Sequence, residues 1–225
     1  MSDSRICNLA YEGKYEPLIS EFAKDKTIIT KKDSSGRIPL HWAISGKHND
    51  IVNFLLQQGS PVDMGDEANW TPLMIASSVG HTEIASALIG RGANVNTANT
   101  TGQTPLHYAA SKNHVEMTKL LLSNHANINA QDNMGSTPLH RAASKGNTRI
   151  IKLFLDSYSN QLDLDCKDAV GNTAIHLACE EDRREEAKLL AEAGCRIDIL
   201  NKEEKTALQL ASPTLFRILT GLREM

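Results

Sequence analysis

Aromatic rings, cysteine pairs and long apolar runs are all scarce in this sequence, and each shortage removes a class of protein. Aromatic residues make up 4% of the 225, against 40% hydrophobic overall. A core with so few rings must be filled by Leu, Ile, Val and Ala, which suits short, closely packed helices. No uncharged apolar stretch approaches the roughly 18 residues that cross a bilayer as a helix, so no membrane partner is expected. The opening Met1-Ser2-Asp3-Ser4-Arg5 is polar and runs into a helical pattern, unlike a secretory signal. A formal net charge of −3 gives no footprint for a nucleic-acid backbone. The four cysteines, Cys7, Cys166, Cys179 and Cys195, form no Cys-x-x-Cys pair and have no His cluster at zinc spacing. They read as reduced, small core residues of an intracellular protein. Gly-x-Ser-x-Gly, His-Glu-x-x-His and phosphate-cradling loops are all missing, so neither a catalytic site nor a cofactor is expected.

What is present is a repeat. Ile38-Pro39-Leu40-His41-Trp42-Ala43 returns as Thr71-Pro72-Leu73-Met74-Ile75-Ala76, Thr104-Pro105-Leu106-His107-Tyr108-Ala109 and Thr137-Pro138-Leu139-His140-Arg141-Ala142. Looser copies start at Thr173 and Thr206, and Cys7-Asn8-Leu9-Ala10 is a degenerate first one. The Leu/Ile positions 40, 73, 106, 139, 175 and 208 are 33, 33, 33, 36 and 33 residues apart. Thr before Pro is a helix start, with Pro at the first helical position where its missing N–H costs nothing. Leu and Ala then line the buried stripe of a short inner helix. A second helix follows on Ile51, Val52, Leu55, Leu56; Ile84, Leu88, Ile89; Met117, Leu120, Leu121; and Ile150, Ile151, Phe154, Leu155. Gly59, Gly92 and Gly194 should stop it in a left-handed cap, with Asn124 tolerating that conformation where His125 replaces the glycine. Asp33-Ser34-Ser35-Gly36 and Asp132-Asn133-Met134-Gly135 carry turn chemistry and read as hairpin tips. The 36-residue step predicts a longer loop near 157–161.

The period and the Thr-Pro-Leu-His-x-Ala phrase resemble the ankyrin repeat. The resemblance implies an all-α solenoid of seven helix-turn-helix repeats joined by β-hairpin-like loops, as one domain over 1–225. The repeats fall at about 4–32, 33–65, 66–98, 99–131, 132–167, 168–200 and 201–225, the outer two being caps. No such unit buries its apolar face alone, so stability comes from stacking on neighbours. A capped solenoid has no need to pair, and a monomer is expected.

His41, His107, His140 and His176 share one repeat position. Stacked helices lie roughly 8–10 Å apart, too far for neighbouring copies to share a metal ion. Each imidazole should instead tie the hairpin backbone to the helix start of its own repeat. Glu180-Glu181-Asp182 should be a solvated charge run rather than an acid–base pair. Leu177-x-Cys179-x-Glu181 matches the short ligand pattern of retinoblastoma-type pocket proteins. The repeat register puts Leu177 and Cys179 on an inner helix, where burial is the expected role.

In the ankyrin architecture the hairpin tips and inner helices line a concave partner face. With the Thr of each phrase as a ruler, Arg37, Trp42, Glu67 and Trp70 project there from the second and third repeats. Trp70 is expected to be the better exposed of the two Trp. Lys112, Arg141 and Lys145 project from the middle, and Glu180, Glu181 and Glu203 from the sixth and seventh repeats. A mixed, Trp-bearing end, a basic middle and an acidic end call for a protein partner of the reverse charge pattern.

Several stretches go beyond the generic repeat. Cys7-Asn8-Leu9-Ala10-Tyr11, the run from Pro105 to Asn113, His140-Arg141-Ala142-Ala143, the run from Glu185 to Leu190 and the run from Asn201 to Thr206 are similar to the gankyrin family of proteasome assembly chaperones. The resemblance implies a chaperone of the 26S proteasome regulatory particle, in cytoplasm and nucleus, that clasps the C-terminal helical domain of one ATPase subunit and hinders premature docking on the core particle. The family's contact pattern falls on Arg37, Glu67, Lys112 and Glu181. One acidic family position near the second hairpin is Ser35 here, which puts that contact in doubt. Other associations implied by the family are with a cyclin-dependent kinase, a p53-pathway ubiquitin ligase and retinoblastoma protein. The alternative reading is an ankyrin-type cell-cycle regulator that binds a cyclin-dependent kinase. Asn96 and Asn129, in the loops after outer helices, resemble asparagines hydroxylated in other ankyrin proteins.

Overall fold

The computed structural model describes residues 4–222, and among these every regular element is helical. The inner helices are α1 (Arg5–Glu12), α3 (Pro39–Ser45), α5 (Pro72–Val79), α7 (Pro105–Ser111), α9 (Pro138–Lys145), α11 (Ala174–Glu180) and α13 (Ala207–Leu210). Each is followed by an outer helix: α2 (Tyr15–Lys24), α4 (Asn49–Gln57), α6 (Thr82–Ile89), α8 (Val115–Ser123), α10 (Thr148–Tyr158), α12 (Arg184–Glu192) and α14 (Pro213–Gly221). A 3-10 turn, Lys26–Thr30, closes the first repeat. Packing groups the chain into two compact units, whose border falls inside the fourth repeat. One runs to Pro105 and takes in Ser123–His125; the other comprises Leu106–Leu122 and the chain from Ala126 onward.

In the first unit α3 packs between α1 and α5, and in the second α11 packs between α9 and α13. The Leu/Ile and Ala of the repeated phrase form the buried stripe: Leu40, Leu73, Leu106, Leu139 and Ile175, with Ala43, Ala76, Ala109, Ala142 and Ala178, are closed to solvent. Leu208 and Ala211 of the seventh repeat are only half-buried. On the outer helices Ala85 and Leu122 are buried, while the expected Ile89, Leu120 and Leu155 are half-exposed.

Gly59, Gly92 and Gly194 take φ of 85°, 89° and 93°, as their stop role requires. In the fourth repeat it is His125 itself, not Asn124, that adopts the left-handed conformation, at φ 65°. The three extra residues of the fifth repeat do not simply lengthen a loop. They extend α10 to 11 residues, two more than α8 or α12, and turns follow at 159–161.

The conserved geometry between helices is a hairpin headed by Asp33, Asp66, Asn99, Asp132, Asp168 and Asn201. In each, the side-chain Oδ1 accepts two backbone N–H bonds, from the second and fourth residues after it. For Asp132 these are Met134 and Ser136, both at 2.9 Å; for Asn201 they are Glu203 and Lys205, both at 3.0 Å. The head residue also donates its own N–H to the carbonyl four residues on, as from Asp33 to Arg37 and from Asp168 to Asn172. The loops are therefore held by Asx turns and single backbone bonds rather than by strand ladders.

Neighbouring hairpins then join by one backbone bond each: Glu67 N–H to Ser35 O, Thr100 to Ala68, Ala169 to Met134, and Lys202 to Val170, at 2.7–3.0 Å. This approach is so close that a Cβ on Gly135 (φ 71°) would lie 3.0 Å from Asp168 Cα.

The shared histidines reach further than their own repeat. Nδ1 accepts the N–H of the residue three before it, from Ile38 to His41, Thr137 to His140 and Thr173 to His176, at 3.2–3.3 Å. Nε2 donates to a backbone carbonyl beyond the following outer helix. His41 reaches Trp70, His107 Ser136, His140 Asn172 and His176 Ile199, at 2.9–3.1 Å. For His41, His107 and His140 the ring thus bridges consecutive repeats, which corrects the expectation of a tie within one; His176 and Ile199 lie within the same repeat. Because a carbonyl only accepts and an amide N–H only donates, the imidazole must be neutral with its proton on Nε2. Burial accordingly pushes all four histidines below their ordinary value, outweighing the carbonyl bonds that favour the charged form. In the last repeat Gln209 takes the ring's place, with Oε1 accepting from Thr206 N–H at 2.8 Å.

Two outcomes follow. The unfolded chain takes up protons at the ordinary histidine value of 6.5 and the folded chain only below it. The stabilisation is therefore complete above pH 6.5 and is lost as pH falls, so urea unfolding midpoints measured from pH 7.5 to 5.0 should decline below 6.5. Gly135→Ala should cost about 1–2 kcal/mol or more in the same assay, since it combines a left-handed alanine with the contact on Asp168.

Candidate protein-binding surface

The first unit presents a linked cluster rather than separate side chains. Asp33 heads its hairpin with Oδ1 and accepts Trp42 Nε1–H on Oδ2 at 2.7 Å. The Arg37 guanidinium lies 5.1 Å from the centre of the Trp42 ring, within cation–π range. Its Nε donates to Asp66 Oδ2 at 2.9 Å, and that aspartate heads the next hairpin. Tyr11, itself exposed, meets Trp42 edge-on at 5.6 Å. Arg37 and Trp42 are both half-buried, and so is Trp70, whose carbonyl accepts from His41. Trp70, expected to be the better exposed of the two Trp, is half-buried as Trp42 is. Glu67 stands exposed at its tip.

In the second unit Lys112 and Lys145 are exposed at the ends of α7 and α9, and share one repeat position with Glu181. Arg141, one turn earlier on α9, is half-buried and forms an ion pair with Asp132 through Nη2. Burial of Asp132 raises its carboxyl, but the Arg141 bond, Arg141's charge and the Ser136 and Met134 N–H groups outweigh this and hold it below the ordinary value. Arg141 is thus part of the hairpin's internal support as well as of the surface. Glu180 and Glu181 end α11 in full solvent, and Glu203 sits at the last tip, where Lys205 Nζ reaches it at 2.8 Å. The basic positions come from the fourth and fifth repeats and the acidic ones from the sixth and seventh.

Two candidate features read differently in three dimensions. Cys179 is closed to solvent on α11 and Leu177 is half-buried, so only Glu181 of the Leu177-Cys179-Glu181 pattern is displayed. Burial pushes the Cys179 and Cys195 thiols up to about 12, so these cysteines stay protonated at neutral pH. Asn96 and Asn129 both tie loops of successive repeats: Asn96 Nδ2 donates to His125 O at 3.0 Å, and Asn129 Nδ2 to Gln161 O at 2.6 Å.

Sequence reasoning overlooked Met134 and Val170, which are 59% and 50% exposed at adjacent hairpin tips joined by the Ala169–Met134 backbone bond. The available signal was an apolar residue just before the hairpin glycine, where other repeats carry Ser35 and Thr101.

Exposed and structural charges should separate cleanly in stability measurements. Lys112→Glu and Glu181→Lys should each shift the unfolding free energy by less than about 0.5 kcal/mol. Asp132→Ala strips two hairpin N–H groups and Arg141 of their acceptor and should cost about 2–4 kcal/mol by urea titration.

Comparisons with known proteins agree with this construction. The family profile described as ankyrin repeats (3 copies) matches residues 6–99 and 88–168, and that of the single ankyrin repeat matches 170–202. The human ASB11 ankyrin repeat domain superposes with a TM-score of 0.86 at 25% identity, over 99% of this chain and 98% of that one. A 45-residue stretch is 49% identical to 26S proteasome non-ATPase regulatory subunit 10 of Homo sapiens and 48% identical to that of Mus musculus. These matches span 20% of this chain and 20% of each relative's length. With nearly all its length matched by repeat profiles and its fold shared with a solved ankyrin domain, the chain belongs to the ankyrin-repeat family of protein-binding scaffolds.

Proposed function

We propose that the chain is an assembly chaperone of the 26S proteasome regulatory-particle base. It binds the C-terminal helical domain of one ATPase subunit through its hairpin tips and inner-helix ends. It acts by steric occlusion, without ATP or metal, in cytoplasm and nucleus. The observation that carries this reading is the stretch nearly half identical to proteasome non-ATPase regulatory subunit 10 in three mammals. The exposure of Glu67, Lys112 and Glu181, three positions of the gankyrin contact pattern, adds to it. Arg37, the fourth, is held in place by Trp42 and Asp66, so little side-chain entropy is lost when it meets a carboxylate. Fixed charges of opposite sign in different repeats reward a partner whose charges run the other way and repel one that is reversed.

Calorimetric titration with the isolated C-terminal domain of the ATPase tests the reading. One-to-one binding is expected, weakened by salt because its charged contacts lie at the surface. The double reversal Lys112→Glu with Glu181→Lys should weaken it about 100-fold or more with the unfolding midpoint unchanged. Absence of binding to that domain, or binding indifferent to both salt and the double reversal, would overturn the proposal.

A further inference from the structure

The sequence contains five Ser/Thr-Pro dipeptides, at Ser60, Thr71, Thr104, Thr137 and Ser212. Four belong to the repeat architecture and their hydroxyl residues are buried, with 5%, 0%, 6% and 1% exposure in chain order. Thr71 and Thr137 additionally use their Oγ to cap α5 and α9. Ser212 also caps a helix, its Oγ accepting Leu215 N–H of α14 at 3.3 Å, but it differs in place and in exposure. It lies in the short link between α13 and α14, is half-exposed, and is followed by the exposed Pro213 and Thr214. Its backbone (φ −58°, ψ 156°) and that of Ala211 (φ −71°, ψ 143°) are already extended in the polyproline manner. The surrounding repeat is less tightly packed than those before it, with Leu208, Leu210 and Ala211 only half-buried, so local opening there costs less.

We propose that Ser212 is a phosphorylation site for a proline-directed Ser/Thr kinase, and that the other four dipeptides are not. In the transfer, Ser212 Oγ attacks the γ-phosphorus of ATP, the bond from that phosphorus to the bridging oxygen breaks, and ADP leaves. The hydroxyl proton passes to the kinase's catalytic carboxylate.

The structure also sets what the modification does. Ser212 Oγ donates to Asp182 Oδ1 at 2.7 Å, and Arg184 grips the same carboxylate at 2.8–3.2 Å. These bonds, Arg184's first, hold Asp182 below the ordinary carboxylate value, so it is charged at neutral pH. A phosphoryl group replaces a donor to this carboxylate by about two negative charges. The tie between α14 and the sixth repeat is lost, and charge is added next to the residue that follows Glu180 and Glu181 in the chain. Ser212 is thereby a control point for the acidic end of the surface, whichever partner that end meets.

The full, folded chain incubated with Mg-ATP and an active mitogen-activated kinase should gain a single phosphoryl group, placed on Ser212 by peptide mapping. Ser212→Asn retains a helix-capping side chain while removing the accepting hydroxyl, and should abolish the incorporation. Pro213→Ala retains the hydroxyl and should slow it at least ten-fold. A folded chain that takes up no phosphate would overturn the proposal. So would phosphate found at Ser60, Thr71, Thr104 or Thr137, or incorporation undiminished in Ser212→Asn.

Discussion

The hairpins between helices hold backbone N–H and C=O groups, buried at the histidine contacts, and the structure depends on the partners those groups find. Where they are buried, an unmet donor or acceptor costs about 1–3 kcal/mol. The head Asp or Asn answers two N–H groups from within the hairpin. A histidine answers one N–H from its own repeat and one C=O from the next. The ring therefore welds helix start to neighbouring hairpin. It can do so only while neutral, which is why the same contact that orders the stack is sensitive to protons.

The candidate binding surface is a by-product of that requirement. Since the hairpin is held from beneath by Oδ1 of its head residue, the tip side chains are relieved of structural duty and are free to vary. Glu67, Met134, Val170 and Glu203 stand there as different chemistries on one support. The second oxygen of the head aspartate does a further task, seizing Trp42, Arg37 or Arg141 and fixing side chains that would otherwise move. Rigid placement of large aromatic and guanidinium groups is what makes an interface residue effective. Arg37 and Arg141 thus belong both to the fold and to the surface, whereas Lys112, Lys145, Glu180 and Glu181 belong to the surface alone.

The ends show the nearest-neighbour logic from the other side. Leu208 is the sixth in the series that begins at Leu40, yet it keeps solvent contact, since among the described residues no helix packs on its far side. The Ala211–Pro213 link at the start of α14 is accessible, while the Thr-Pro links that start inner helices are sealed.

The period of 33, the helix starts and the alternation of inner and outer helices were legible in the residues alone, because each follows from local chemistry. Pro at a first turn, Gly at a stop and apolar residues at helical spacing act within about ten residues of chain. The exposure of Lys112, Lys145, Glu180 and Glu181 was legible for the same reason, since a ruler residue fixes which positions leave the helix. What only the tertiary structure decided were the contacts made across a repeat. Asp33 and Asp132 read as turn residues, but that their second oxygens hold Trp42 and Arg141 depends on how the hairpin leans on its helix. The partner of His140 lies 32 residues away, and that of Asn147 37 residues away at Ala110. Trp70, read as the better exposed of the two Trp, is half-buried as Trp42 is, and the insertion read as a loop is partly helical. In each case the deciding energy is a contact with a neighbour, which a local pattern of residues does not encode.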